Sequence, residues 1–168
     1  MIAYRAILPL LDENKDVKFV VRLGGFKPKW MKHHKQIDYK MVSAKVWEWP
    51  QFVRDMQADL LLAPLRDTEF NRCKSNLKWL EASSFGVPLL ASDVEPFNKT
   101  KGDLILSSND IDDFRSSLDV AISAVRKGLF DKEKLKLQCK RNYDLHVESK
   151  ELLVWINFLC YSKENNIT

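Results

Sequence analysis

Apolar residues along this chain alternate between two spacings, one helical and one extended, and the alternation predicts the elements in order. Residues 2–13 (IAYRAILPLLDE) carry apolar side chains three and four apart, predicting a helix that Pro9 kinks or stops early. VKFVVRL at 17–23 is rich in β-branched residues and runs into Gly24-Gly25, predicting a strand and a tight turn. A strand is expected within 40–49, and Pro50 at a first helical position opens a short helix over 50–57. DLLLA at 59–63 and VPLLAS at 87–92 are continuous apolar runs, as in strands buried on both faces. Between them a helix over 76–85 ends at Gly86, and GDLILS at 102–107 is a further short strand. Asn109 or Asp110 caps a helix whose stripe is Ile111, Phe114, Leu118, Ile122 and Val125. Two more helices, over 131–142 and 148–161, follow.

This order predicts an α/β protein with a doubly wound, Rossmann-like parallel sheet and ligand sites beyond the carboxyl ends of the strands. The 168 residues suit a single domain, with residues 148–168 as its C-terminal helix and tail. A complete sheet of this kind begins with a strand, whereas this pattern begins with a helix.

Composition narrows the function classes. Hydrophobic residues at 45% and charged residues at 30% are enough for a real core, and the net charge of +4 is a mild excess compatible with anionic ligands. It is no concentrated basic stripe, so nucleic acid is not an expected partner. The basic stretches 27–35, containing His33 and His34, and 132–141 read as solvated faces, with at most a peripheral contact to an anionic membrane surface. The apolar runs 60–65 and 152–161 are too short to span a bilayer, and no leader pattern is visible, so the expectation is a cytoplasmic protein. Cys73, Cys139 and Cys160 have neither metal-ligand nor disulfide spacing, and no metal site is expected.

The chemistry concentrates between 59 and 96. A strand delivers the chain to a polar loop with Arg72 and Lys74, and Ser75 or Asn76 stands where a helix cap belongs. A helix N-terminus offers backbone N–H groups and a partial positive charge to a phosphate, and the two cations would add to both. Lys74, Lys78, Glu81 and Phe85 fall near one stripe. A carboxylate at Glu81, two turns from a phosphate, suits a pair of ribose hydroxyls; its plain alternative is a surface ion pair with Lys78. Gly24 and Gly25 could admit a nucleotide to the backbone or serve only as a turn.

The block Glu81-Ala82, Gly86-Val87-Pro88-Leu89-Leu90-Ala91-Ser92 resembles the E-A-x-x-x-G-x-P-V-V-A-S block of retaining GT-B glycosyltransferases. Upstream, Ala63-Pro64-Leu65, Asp67, Phe70-Asn71-Arg72, Lys74-Ser75 and Leu77-Lys78-Trp79-Leu80 resemble a bacterial polysaccharide or O-antigen branch of that group, and weaker similarity extends from about residue 6 to 160. The resemblance implies the C-terminal, donor-binding half of a GT-B enzyme, lacking its first strand. It implies that Glu81 holds the donor's ribose and that Lys74, Ser75, Asn76 and Leu77 contact the diphosphate and sugar, with Lys78 beside them. Arg72 and Lys74 would steady the charge on the leaving diphosphate without a metal. The ligand would be a UDP- or GDP-linked sugar acting as substrate, with no cofactor, for hexosyl transfer to a glycan or lipid-linked acceptor at the inner membrane face. Two departures qualify this. Cys73 stands where the family's first motif glutamate is expected, and the acceptor-binding half would have to come from a separate chain. A separate acceptor-binding chain or a homo-oligomer is therefore the expected protein partner. The alternative expectation is a non-catalytic nucleotide-sugar-binding module or truncated remnant.

Overall fold

A computed structural model describes residues 2–23, 34–41, 54–55 and 57–143. In these residues the chain is a mixed α/β protein with parallel sheets. Helix α1 (Ile2–Glu13) places Ala3, Ala6, Ile7, Leu10 and Leu11 on one buried stripe. It runs through Pro9 without stopping there. Strands β1 (Phe19–Leu23) and β2 (Ile37–Met41) pair in parallel with Phe19 opposite Ile37. Strand β2 overlaps the strand expected within 40–49 only at Lys40 and Met41, and residues 42–49 lie outside the described residues. Arg54 and Asp55 are helical. Gln57, the last residue of the helix expected over 50–57, is not helical and has a φ of +46°. Residues 50–53 and 56 of that helix, the glycine turn at Gly24-Gly25, His33, Trp47, Trp49, Cys160 and the helix expected over 148–161 lie outside the described residues.

A second parallel sheet has the order β3 (Leu61–Ala63), β4 (Leu89–Ser92), β5 (Ile105–Ser107). Its strands alternate sides as the two-residue period of a strand requires. Leu62, Leu90 and Ile105 belong to one hydrophobic cluster, and Leu61, Ala63, Leu89 and Ala91 to the other. Helices α1 and α4 (Ile111–Arg126) fill the first cluster with Ile7, Leu10, Leu11, Phe114, Leu118 and Ile122, and Phe19 and Ile37 pack against it. Helix α3 (Leu77–Ser84) brings Trp79 and Ala82 to the second, where Cys139 and Tyr143 of α5 (Lys132–Tyr143) also pack. A sheet covered by helices on both faces explains why β4 is fully buried and reads as an unbroken apolar run.

Local chemistry sets the ends of these helices. Asp110 caps α4, its carboxylate accepting from the N–H groups of Asp112 and Asp113 at 2.8 and 3.2 Å. After α3 the chain turns at Gly86, whose φ of +70° suits glycine, with Val87 N–H donating to Ala82 C=O and Gly86 N–H to Ser83 C=O. Gly102 answers a close approach instead: a Cβ there would lie 2.1 Å from Trp79 Cζ2. Among the described residues no helix is long and apolar enough to cross a membrane.

Candidate functional site

Beyond the carboxyl end of β3 lies a cavity of about 500 Å3. Its apolar wall comes from Leu62, Ala63, Pro64 and Leu65 as the chain leaves the strand, with Phe97 of a short 3-10 turn. Lys74, Ser75, Leu77 and Lys78 supply the rest of the lining. These four were singled out from the sequence, and the fold gathers them where α3 begins.

A closed hydrogen-bond triangle holds the end of β3 in place. Leu65 N–H donates to Ser92 Oγ at 2.8 Å, Ser92 Oγ donates to Asn109 Oδ1 at 2.8 Å, and Asn109 Nδ2 donates to Leu65 C=O at 2.9 Å. Ser92 is fully buried. The triangle thus ties the loop after β3 to the ends of β4 and β5. Ser92 and Asn109 therefore act as a clamp, and neither lines the cavity.

The loop beyond this clamp is organised by its own polar groups. It contains a four-residue helix, α2 (Glu69–Arg72), that the apolar pattern did not predict. Thr68 caps it by accepting from Asn71 N–H at 3.2 Å, and Asn71 Nδ2 donates to Arg66 C=O at 2.9 Å. Arg72 grips Asp67 with Nε and Nη2 at 2.6 and 2.8 Å. That bond holds the Asp67 carboxyl below the usual carboxylate range and raises the Arg72 guanidinium further. Arg72, expected to meet a diphosphate, here braces the loop. Lys74 stays at the cavity with its ammonium 4.9 Å from the centre of the Phe70 ring. A contact of this kind at an exposed site is worth about 0.5–1 kcal/mol, so a charged ligand oxygen can displace it.

Asn76 is the N-cap residue of α3, but its side chain makes no capping bond. Its amide instead donates to Tyr143 OH at 2.8 Å and Thr100 Oγ1 at 3.2 Å. The start of α3 therefore lacks the side-chain acceptor that Asp110 gives α4. Asn76, expected among the diphosphate contacts, fastens α3 to α5 through its side chain and is not among the residues lining the cavity. Trp79, one turn on, is fully buried and donates through Nε1 to Asp103 C=O at 3.0 Å, and its ring lies 5.4 Å from that of Tyr143. It is a core residue.

Glu81 accepts from Lys78 Nζ at 2.7 Å, the ion pair foreseen as the plain reading of this residue. The Glu81 side chain is 13% exposed against 50% for Lys78, so the carboxylate is largely sheltered and touches the cavity lining through Lys78. Cys73 is exposed at the end of α2. Among the described residues no group of three or more His, Cys, Asp or Glu could hold a metal ion. Sequence reasoning missed the Ser92–Asn109 clamp, whose members lie 17 residues apart, and it missed Phe97 and Pro64 as cavity walls.

Comparison with models of protein families gave no match, and comparison with curated proteins gave none either.

Proposed function

We propose that this chain binds the nucleoside diphosphate of a UDP- or GDP-linked sugar at the start of α3, as the donor half of a glycosyltransferase. One observation carries the reading: Lys74, Ser75, Leu77 and Lys78 meet around a cavity at the carboxyl end of a parallel strand, beside a helix start with no side-chain cap. The resemblance of 63–92 to GT-B donor domains supports it independently.

In this reading the diphosphate lies against the first turn of α3, where the partial positive charge of the helix and the Lys74 ammonium meet it. Glu81, further along the same helix, accepts from ribose hydroxyls, and Lys78, which lines the cavity, contacts the phosphates. As the bond from sugar to diphosphate breaks, negative charge gathers on the departing oxygen. Lysine and backbone N–H groups already aimed there stabilise that charge without waiting for reorganisation. The acceptor is a glycan or lipid-linked sugar.

A second reading, binding without transfer, draws on two observations. Cys73 occupies the place of an expected carboxylate, and Arg72 is engaged by Asp67. Calorimetric titration with UDP-glucose and GDP-mannose tests what the two readings share. Lys74→Ala is expected to weaken binding by ~1–3 kcal/mol through the lost charge-assisted contact, and Glu81→Ala to weaken it through the ribose. No heat of binding at millimolar ligand rejects both readings. Sugar transfer in the presence of an acceptor-domain partner rejects the second alone.

A further inference from the structure

The loop between the Leu65 clamp and α3 presents one aromatic side chain, Phe70, and leaves it 75% exposed. Exposure here is not a by-product of a loose loop. Thr68 caps α2, Asn71 bonds back to Arg66, and Arg72 is held by two bonds to Asp67. The backbone is tied as well, with Arg72 N–H donating to Thr68 C=O at 2.9 Å and Lys74 N–H to Asn71 C=O at 3.1 Å. A segment so fully bonded to itself gains nothing from an apolar ring held in water. The ring is also one side chain from the cavity, because Lys74 both lines the cavity and lies over the ring at 4.9 Å.

Resting on the donor reading above, we propose that Phe70 is the platform for the transferred sugar and sets how much the sugar adds to donor binding. In that reading the two ends of the ligand lie on opposite sides of the α3 start. Glu81 lies along the helix and takes the ribose side, so the sugar side falls towards α2 and Phe70. A pyranose has one face of C–H groups, and an aromatic ring held in place offers that face apolar contact at little cost in ordering. Lys74 links the two events. Its ammonium covers the ring while the site is empty and moves to the phosphate when a donor arrives, uncovering the ring for the sugar.

The test compares UDP with UDP-glucose and GDP with GDP-mannose by calorimetry, in the wild-type chain, Phe70→Ala and Phe70→Trp. The wild type is expected to bind each sugar nucleotide more tightly than its nucleoside diphosphate. Phe70→Ala should remove roughly 2- to 10-fold of that advantage, leave UDP and GDP binding no weaker because Lys74 no longer has to leave the ring, and be rescued by Phe70→Trp. Since Phe70 is largely exposed, the alanine variant keeps the fold, and a circular dichroism melt confirms it. An advantage that Phe70→Ala does not alter, or no advantage in the wild type, overturns the platform while donor binding stands. An equal loss for nucleotides with and without the sugar also overturns it. Failure of the wild type to bind any of the four ligands overturns the donor reading and this inference together.

Discussion

On one face of the β3–β4–β5 sheet, α1 and α4 close over a cluster of aliphatic side chains and Phe114. On the other face, α3 and α5 close over a smaller cluster centred on Trp79, which is bonded to polar groups around its edge. The first face is stitched at its rim by Arg115 to Glu13 and Arg126 to Asp16, pairs that join α4 to α1 and to the turn after it. The second is stitched inside, by Asn76 to Tyr143 and Trp79 to Asp103 C=O, and the cavity lies at its end. Apolar packing without polar neighbours tolerates repacking, whereas a buried ring with a fixed N–H partner holds one orientation. The face that carries the candidate site is thus the one built for fixed geometry.

The contrast is broken most severely by Trp79→Ala. That change empties the second cluster and strands the Asp103 carbonyl, for an expected loss of about 3–5 kcal/mol in urea unfolding. Affinity at the proposed donor site should fall with it, because α3 loses its seat. Leu118→Ala empties the first cluster at a cost of about 2–5 kcal/mol. In the folded fraction this variant should keep the wild-type affinity of the proposed donor site, and a parallel loss would show that the two faces are not independent. Asn109→Ala sharpens the comparison at the clamp. It deprives buried Ser92 and the Leu65 carbonyl of partners, at about 1–3 kcal/mol, and should raise hydrogen exchange in 64–74 more than in α1.

The smallest expected effect is acid sensitivity. Arg126 hydrogen-bonds Asp16, Arg72 hydrogen-bonds Asp67, and Lys134 with Gln138 hydrogen-bonds Asp103, each holding its carboxyl below the usual carboxylate range. A depressed folded value means stability that is fully present above the ordinary carboxylate range and lost as pH falls through the depressed values. These groups are exposed, so the loss is small. Urea midpoints at pH 7 and pH 3 should converge more in Asp16→Asn than in Leu118→Ala.

Much of this architecture was legible because it is written in local periodicity. The runs at 59–63 and 87–92 contain β3 and β4, Asp110 caps α4, and Gly86 ends α3. The gathering of Lys74, Ser75, Leu77 and Lys78 was legible for the same reason, since all four lie at one helix start. What stayed hidden depends on distant partners or on very short segments. Asn76 reads as a cap until Tyr143, 67 residues later, arrives to take its amide. Arg72 reads as a free cation until the turn of α2 brings Asp67 beneath it. Helix α2 has four residues and no apolar stripe, so its existence rests on Thr68, Asn71 and Arg72 bonding within the loop. The early stop expected at Pro9 does not occur, because the packing of α1 against α4 outweighs one missing N–H.

The triangle of Leu65, Ser92 and Asn109 has one further consequence, for engineering. It fixes one end of the segment 66–74 to the sheet, while the Asn76–Tyr143 bond fixes the other end to α5. The residues between are bonded chiefly to one another. Such a segment behaves as an exchangeable cassette: its sequence and length can be varied as a unit to seek new ligands, while the two anchors outside it keep the frame unchanged.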